Sequence, residues 1–139
     1  MAELSASVDF TVEFYEVDSM KIVWHGNYTQ YMERARCELL SKIRYNYNDM
    51  EADGYAWPVV KIKVKYIAPL RFLQKARITA TLVEWENRLR IAYEIRDLET
   101  GKVLTKAESD HMAVKMATGE TCFVLPQEFV EKVKAYANA

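Results

Sequence analysis

Apolar and polar residues alternate where Val8, Phe10, Val12 and Phe14 interleave with Asp9, Thr11, Glu13 and Tyr15. A period of two predicts a strand with one buried face. Residues 16 to 25 show no clear period. From Gly26-Asn27 the step changes: Tyr28, Tyr31, Met32, Ala35, Leu39 and Ile43 recur every three or four residues. Gln30, Glu33, Arg34, Glu38 and Lys42 fall mainly elsewhere on the wheel. This predicts a helix running to Arg44, roughly 27 Å long at 1.5 Å per residue, with Asn27 as its N-cap. Tyr45 to Gly54 is polar and ends in Asp53-Gly54, a turn or helix stop.

Four more strands fit the remainder. Val60, Ile62, Val64 and Tyr66 alternate with Lys61, Lys63 and Lys65. Arg77 to Glu86 is rich in strand formers, and Leu89, Ile91, Tyr93 and Ile95 alternate with polar neighbours. Glu99-Thr100-Gly101-Lys102 signals a hairpin turn. Val103 to Met116 reads as one long final strand, with Ala107, Ser109 and Ala113 small on one face, and Glu128 to Tyr136 as a short terminal helix. Sequential strands joined by short turns are expected to pair antiparallel. The sheet's apolar face must be covered, and the one long amphipathic element is the helix after the first strand. The expected class is α+β, a five-stranded antiparallel sheet wrapped around a long central helix. The small residues of the last strand are expected to let that helix approach closely.

Composition narrows the function classes. The 139 residues are half apolar and 28% charged, which excludes a disordered chain, and residues 1–139 are expected to form a single domain. Nineteen basic against twenty acidic residues leave a net charge of −1. No basic excess points to nucleic acid. No apolar run approaches the length of a membrane span, and residues 1–5 lack a signal-peptide pattern. Cys37 and Cys122 form no CxxC motif, so a reduced, cytoplasmic protein is expected. Two cysteines and two histidines speak against a zinc site.

The chemistry concentrates between the first strand and the helix, from Tyr15 to Tyr28. A helix N-terminus offers unpaired N–H groups and partial positive charge, suited to a developing oxyanion. Asp18 lies seven residues before His25. A carboxylate, an imidazole and free N–H groups in one region are a kit for acyl transfer. On spacing alone, Asp18 equally suits a turn and His25 a packed or capping position.

This stretch resembles the 4-hydroxybenzoyl-CoA thioesterase family of hotdog-fold proteins, which includes acyl-CoA thioesterases associated with the Tol–Pal system. The matching residues are Asp18, Ile22-Val23, Trp24, His25 and Tyr28, followed by Tyr31-Met32-Glu33-Arg34-Ala35-Arg36. Trp57-Pro58-Val59-Val60, Tyr66-Ile67-Ala68-Pro69-Leu70, Thr118-Gly119-Glu120 and Leu125-Pro126 extend the match over about Val8 to Pro126. The resemblance implies a hotdog fold and hydrolysis of a short- or medium-chain or aromatic acyl-CoA to free acid and coenzyme A. It implies Asp18 as nucleophile or general base and His25 as a second catalytic residue. It implies N–H groups near Trp24, His25 and Gly26 as oxyanion hole, with Trp24, Gly26, Asn27 and Tyr28 against the substrate. No metal and no cofactor are expected, coenzyme A being part of the substrate. A homodimer or homotetramer is expected, with the Lys61–Lys65 strand as the pairing edge.

Two positions depart from the family pattern. Val17 stands where Thr or Cys is usual. Lys21 stands where Gly or Asn is usual, and lysine takes positive φ less readily than glycine, so an altered loop is expected. Lys21 also brings a cation towards Asp18. The strand lysines could attract coenzyme A phosphates, although alternating charge is the ordinary outer face of a half-buried strand. Glu33 is expected to pair with Arg36 or Arg34, Cys37 to lie in the core and His111 to be structural. Two other functions stay open: a hotdog dehydratase acting on a 3-hydroxyacyl thioester, and a binding module for acyl-CoA or another lipid ligand without catalysis.

Overall fold

The computed structural model describes residues 3–137. The first strand, β1, is Ser5–Thr11. It starts earlier than the alternation predicts and stops before Phe14. Leu4, Ala6, Phe10 and Val12 are buried, whereas Phe14 is 75% exposed. The strand ends because Glu16 Oε1 accepts the Glu13 N–H at 2.8 Å and starts a 3-10 turn over Phe14–Glu16.

The central helix α1 is Tyr28–Lys42, preceded by a 3-10 turn over His25–Asn27. It ends two residues short of Arg44, which takes φ +57°, a left-handed conformation no helix continues through. A second helix, α2, Tyr47–Ala52, occupies the segment expected to be only polar and turning. Six residues are too few to show a period. Its signal is a capping box, with Asn46 accepting the Tyr47 N–H and Asp49 accepting the Asn46 N–H.

The remaining elements are β2 (Tyr55–Ala56), β3 (Val59–Tyr66), β4 (Lys75–Trp85), β5 (Leu89–Asp97), β6 (Val103–His111), β7 (Val114–Lys115) and α3 (Gln127–Ala137). Five strands form an antiparallel sheet in the order β1-β4-β5-β6-β3. Here β3 pairs with β6 and not with its sequence neighbour β4. The chain after β3 is tied elsewhere: Leu70 O accepts the Val23 N–H and Arg71 bridges Ile22. The final strand is broken as well. At Met112 and Ala113 the chain leaves the sheet, and β7 pairs with β2.

The core lies between α1 and the inner sheet face. On α1 it is built from Tyr28, Tyr31, Met32, Ala35 and Leu39, and on β5 from Leu89, Ile91, Tyr93 and Ile95. Tyr31 stacks on Phe10 of β1 at 4.2 Å between ring centres. At the other end of the sheet Phe129 of α3 packs against Tyr45 and Trp57. Ser109 does not serve as a bare spacer for the helix. Its hydroxyl bonds the Tyr93 hydroxyl and His111 inside a buried polar cluster. Among the described residues no helix is long and apolar enough to cross a membrane.

Candidate active site

Val17 and Val23 pair in an antiparallel bridge, and the chain between them makes a miniature hairpin. Asp18 N–H donates to the Ile22 carbonyl, and Lys21 N–H to the Asp18 carbonyl, both at 2.9 Å. Asp18 Oδ1 accepts the Met20 N–H at 2.8 Å. Ser19-Met20-Lys21 is thus a three-residue hairpin loop closing on a left-handed residue. That residue is Lys21, with φ +63°, so the expectation that lysine would avoid positive φ here is corrected. Its Cβ carries the strain that glycine would not. Among the described residues Lys21 joins no ion pair, and the Met20 N–H orients the carboxylate instead.

The helix entrance is held from behind. Trp24 N–H donates to the Glu16 carbonyl at 3.0 Å, and Asn27 Nδ2 donates to the same oxygen at 2.8 Å. Asn27 therefore sits at the N-cap position without capping α1 by its side chain, which corrects the role expected of it. The preceding 3-10 turn gives it helical backbone angles, φ −79° and ψ −14°, whereas a capping side chain hangs from extended backbone. The N–H of Trp24 is consumed by Glu16, and that of Asn27 by the Trp24 carbonyl at 2.9 Å. The N–H groups of His25 and Gly26 donate to no acceptor among the described residues. Of the three N–H groups expected to face the carbonyl oxygen, that of Trp24 is already engaged, while those of His25 and Gly26 stay unpaired among the described residues.

Asp18, His25 and Tyr28 line one cleft of about 370 Å³, together with Met20, Ile22, Val23 and the run Tyr66-Ile67-Ala68-Pro69. Trp24, Gly26 and Asn27 lie outside its lining. Trp24 is half exposed and its indole covers Gly26. Tyr28 is buried, and its hydroxyl accepts the Leu70 N–H at 3.3 Å. Burial pushes its phenol above the usual range, so it stays un-ionised. Tyr66 stands edge-on to Tyr28 at 4.8 Å and donates its hydroxyl to the His25 carbonyl at 3.3 Å. The Tyr66–Pro69 wall arrives from forty residues away. Its signal in the sequence is the family-like Tyr66–Leu70 run.

Glu33 is turned away from this chemistry. Its Oε2 accepts Arg36 Nη2 at 2.6 Å. The buried Arg36 also donates Nε–H to the Tyr47 hydroxyl at 3.0 Å and Nη1–H to His111 Nδ1 at 2.9 Å. His111 is thereby a neutral acceptor whose Nε2–H faces Ser109 Oγ at 2.8 Å. Burial first, and the Arg36 charge second, hold His111 down at about 4. Cys37 is only half buried, and Asn46 Nδ2 contacts its sulfur at 3.2 Å.

Comparison with known proteins gives the family and the fold. The family described as the thioesterase-like superfamily matches residues 12–134. A Bacillus subtilis (strain 168) protein, YneP, provisionally assigned as an acyl-CoA thioesterase, is 34% identical over 107 residues, covering 76% of this chain and 77% of that protein. A DHNA-CoA thioesterase from Staphylococcus aureus superposes with a TM-score of 0.83 at 26% identity, covering 96% of this chain and 89% of the other. A 4-hydroxybenzoyl-CoA thioesterase mutant complexed with 4-hydroxybenzoyl-CoA shares the fold, with a TM-score of 0.81 at 14% identity, covering 93% and 98%.

Proposed function

Since the chain belongs to the thioesterase-like superfamily, we propose that it hydrolyses the thioester of an acyl-CoA in the cleft between Asp18 and Tyr66. One observation carries this reading: a hairpin-held carboxylate and His25 line the same cleft, beside a turn with two unused N–H groups. The thioester carbonyl oxygen accepts the N–H groups of His25 and Gly26, which offset the charge that builds on it. Asp18 takes the proton of a water that adds to the carbonyl carbon, or adds to it directly. The carbon–sulfur bond then breaks, and the thiolate of coenzyme A leaves and is protonated. In the direct route the acyl–aspartyl anhydride is cleaved by water. Side chains and backbone supply this chemistry, with coenzyme A entering as part of the substrate.

The cleft supports an uncharged acyl group of modest size. Its volume falls in the range of small-molecule sites, and its walls from Ile22, Val23, Tyr28, Tyr66, Ile67, Ala68 and Pro69 carry no charge. A short or medium aliphatic chain or a single aromatic ring fits that lining.

We also propose that copies associate along β3. It is a sheet edge with Val60 54%, Ile62 43% and Tyr66 49% exposed, and such an edge is a template for a further strand. A clean monomer by sedimentation would contradict this.

The test is thiol release from a panel of acyl-CoA thioesters. Wild type turns over at least one, and Asp18→Asn lowers its kcat by about 100-fold or more, the range for loss of a general base or nucleophile. Binding of acyl-CoA without turnover across the panel would instead mark a binding module.

A further inference from the structure

The two unused N–H groups at the helix entrance each share a peptide unit with the carbonyl before them. The His25 N–H is joined to the Trp24 carbonyl, and the Gly26 N–H to the His25 carbonyl. The Trp24 carbonyl accepts the Asn27 N–H at 2.9 Å. The His25 carbonyl accepts twice. The Tyr28 N–H reaches it as the closing bond of the 3-10 turn, and the Tyr66 hydroxyl reaches it at 3.3 Å. A carbonyl oxygen has two lone pairs, so both are engaged here. Hydrogen bonds made in series through one group polarise one another. A donor on the His25 oxygen therefore strengthens the Gly26 N–H at the other end of the same peptide, and holds its plane.

A half-exposed tyrosine at the end of an edge strand has an ordinary explanation. Its ring suits a strand and packs edge-on against Tyr28. That accounts for the ring and leaves out the hydroxyl, since phenylalanine would pack as well. Among the described residues three donors reach the Trp24 and His25 carbonyls, and Tyr66 is the one side chain among them. It also comes from another part of the fold. Its backbone is paired with Thr105 of β6, so the hydroxyl is carried by the sheet. Asn27 Nδ2 holds the helix entrance from behind through Glu16, and Tyr66 holds it from the cleft side.

We propose that Tyr66 is a positioning residue for thioester hydrolysis, its hydroxyl holding and polarising the His25–Gly26 peptide so that the Gly26 N–H meets the thioester oxygen as a stronger, pre-aimed donor. This rests on the acyl-CoA reading above and gives a cleft wall a part in the chemistry. The Tyr66 hydroxyl passes no proton to the substrate. The Gly26 N–H gains most as negative charge builds on the oxygen, so Tyr66 favours the transition state over the bound thioester. Its loss is read in kcat and not in KM.

The test is Tyr66→Phe, which keeps the ring and removes the donor. With the acyl-CoA that wild type turns over, kcat falls about three- to tenfold, a fraction of the roughly hundred- to thousandfold cost of deleting an oxyanion donor outright. KM and the melting temperature are unchanged. The loss is the same for thioesters of one acyl group on thiols of different acidity. In the free protein the Gly26 amide nitrogen resonance moves upfield, as loss of a hydrogen bond to the preceding carbonyl requires, and it is one of only four glycines to assign. An unchanged kcat or an unmoved Gly26 resonance overturns the proposal. So does a raised KM at constant kcat, which would make the hydroxyl a contact to the bound substrate. A loss that vanishes with the more acidic thiol also overturns it, since Tyr66 would then be the proton donor to the departing sulfur. The resonance is read without turnover. A wild type that hydrolyses nothing, beside a Gly26 resonance that moves in Tyr66→Phe, therefore refutes the hydrolase reading alone.

Discussion

The indole of Trp24 lies over Gly26 so closely that a Cβ there would stand 2.3 Å from its ring. Glycine lets the ring lie against the backbone here, and any side chain has to displace the half-exposed indole. The pair fixes the turn that exposes the N–H groups of His25 and Gly26. Gly26→Ala must push the indole away and shift that turn. We expect kcat/KM to fall by 10- to 100-fold, the order of loss from a displacement near 1 Å in a reacting site. Circular dichroism should remain native, and tryptophan fluorescence should report a changed Trp24 environment.

Asn27 ties the helix entrance to the Glu16 carbonyl, which Trp24 N–H also reaches. Asn27→Ala removes one of these two bonds. Stability should drop by about 1 kcal/mol, the net worth of a typical hydrogen bond, as measured by urea unfolding. Thioester turnover should fall with it, because the turn is held from that side.

Lys21 closes the Asp18 hairpin at φ +63°, where a Cβ is strained. Lys21→Gly relieves about 1–2 kcal/mol of left-handed strain and costs about 0.5–1 kcal/mol in chain entropy. A net gain of roughly 0–1.5 kcal/mol is expected by the difference of these terms, read as a higher urea midpoint at unchanged slope. A loss of stability would show that the lysine stem packs usefully on the loop.

His111 predicts a pH dependence. Its ordinary value is 6.5, and the fold holds it near 4. Between these values the unfolded chain binds a proton that the folded chain refuses, so stability rises with pH across this window. Its contribution is complete above about 6.5 and is lost as pH falls towards 4. The slope is at most about 1 kcal/mol per pH unit. His111→Gln should flatten the profile between pH 6.5 and 5, above most carboxylate titrations, in chemical unfolding measured at a series of pH values.

Much of the architecture was legible from local pattern. Tyr28, Tyr31, Met32, Ala35 and Leu39 mark one helix face, and Leu89 to Ile95 alternate over a full strand. These periods arise from burial of one face and are written in adjacent residues. The short helix at Tyr47–Ala52 escaped because six residues show no period. The break at Met112-Ala113 escaped because apolar residues continue through it, while the chain changes partner from β3 to β2.

The candidate site divides in the same way. Asp18, His25 and a helix entrance were visible as neighbours along the chain, and the Val17–Val23 bridge folds that stretch back on itself. Two things belonged to long-range contact alone. The Tyr66–Pro69 wall closes the cleft, and the Tyr66 hydroxyl reaches the His25 carbonyl. Each depends on which strand lies beside which, and on where a loop crosses the end of the sheet. Burial patterns repeat within an element and can be read there. The choice between possible neighbours is made by packing of the whole chain, and no short stretch of residues records it.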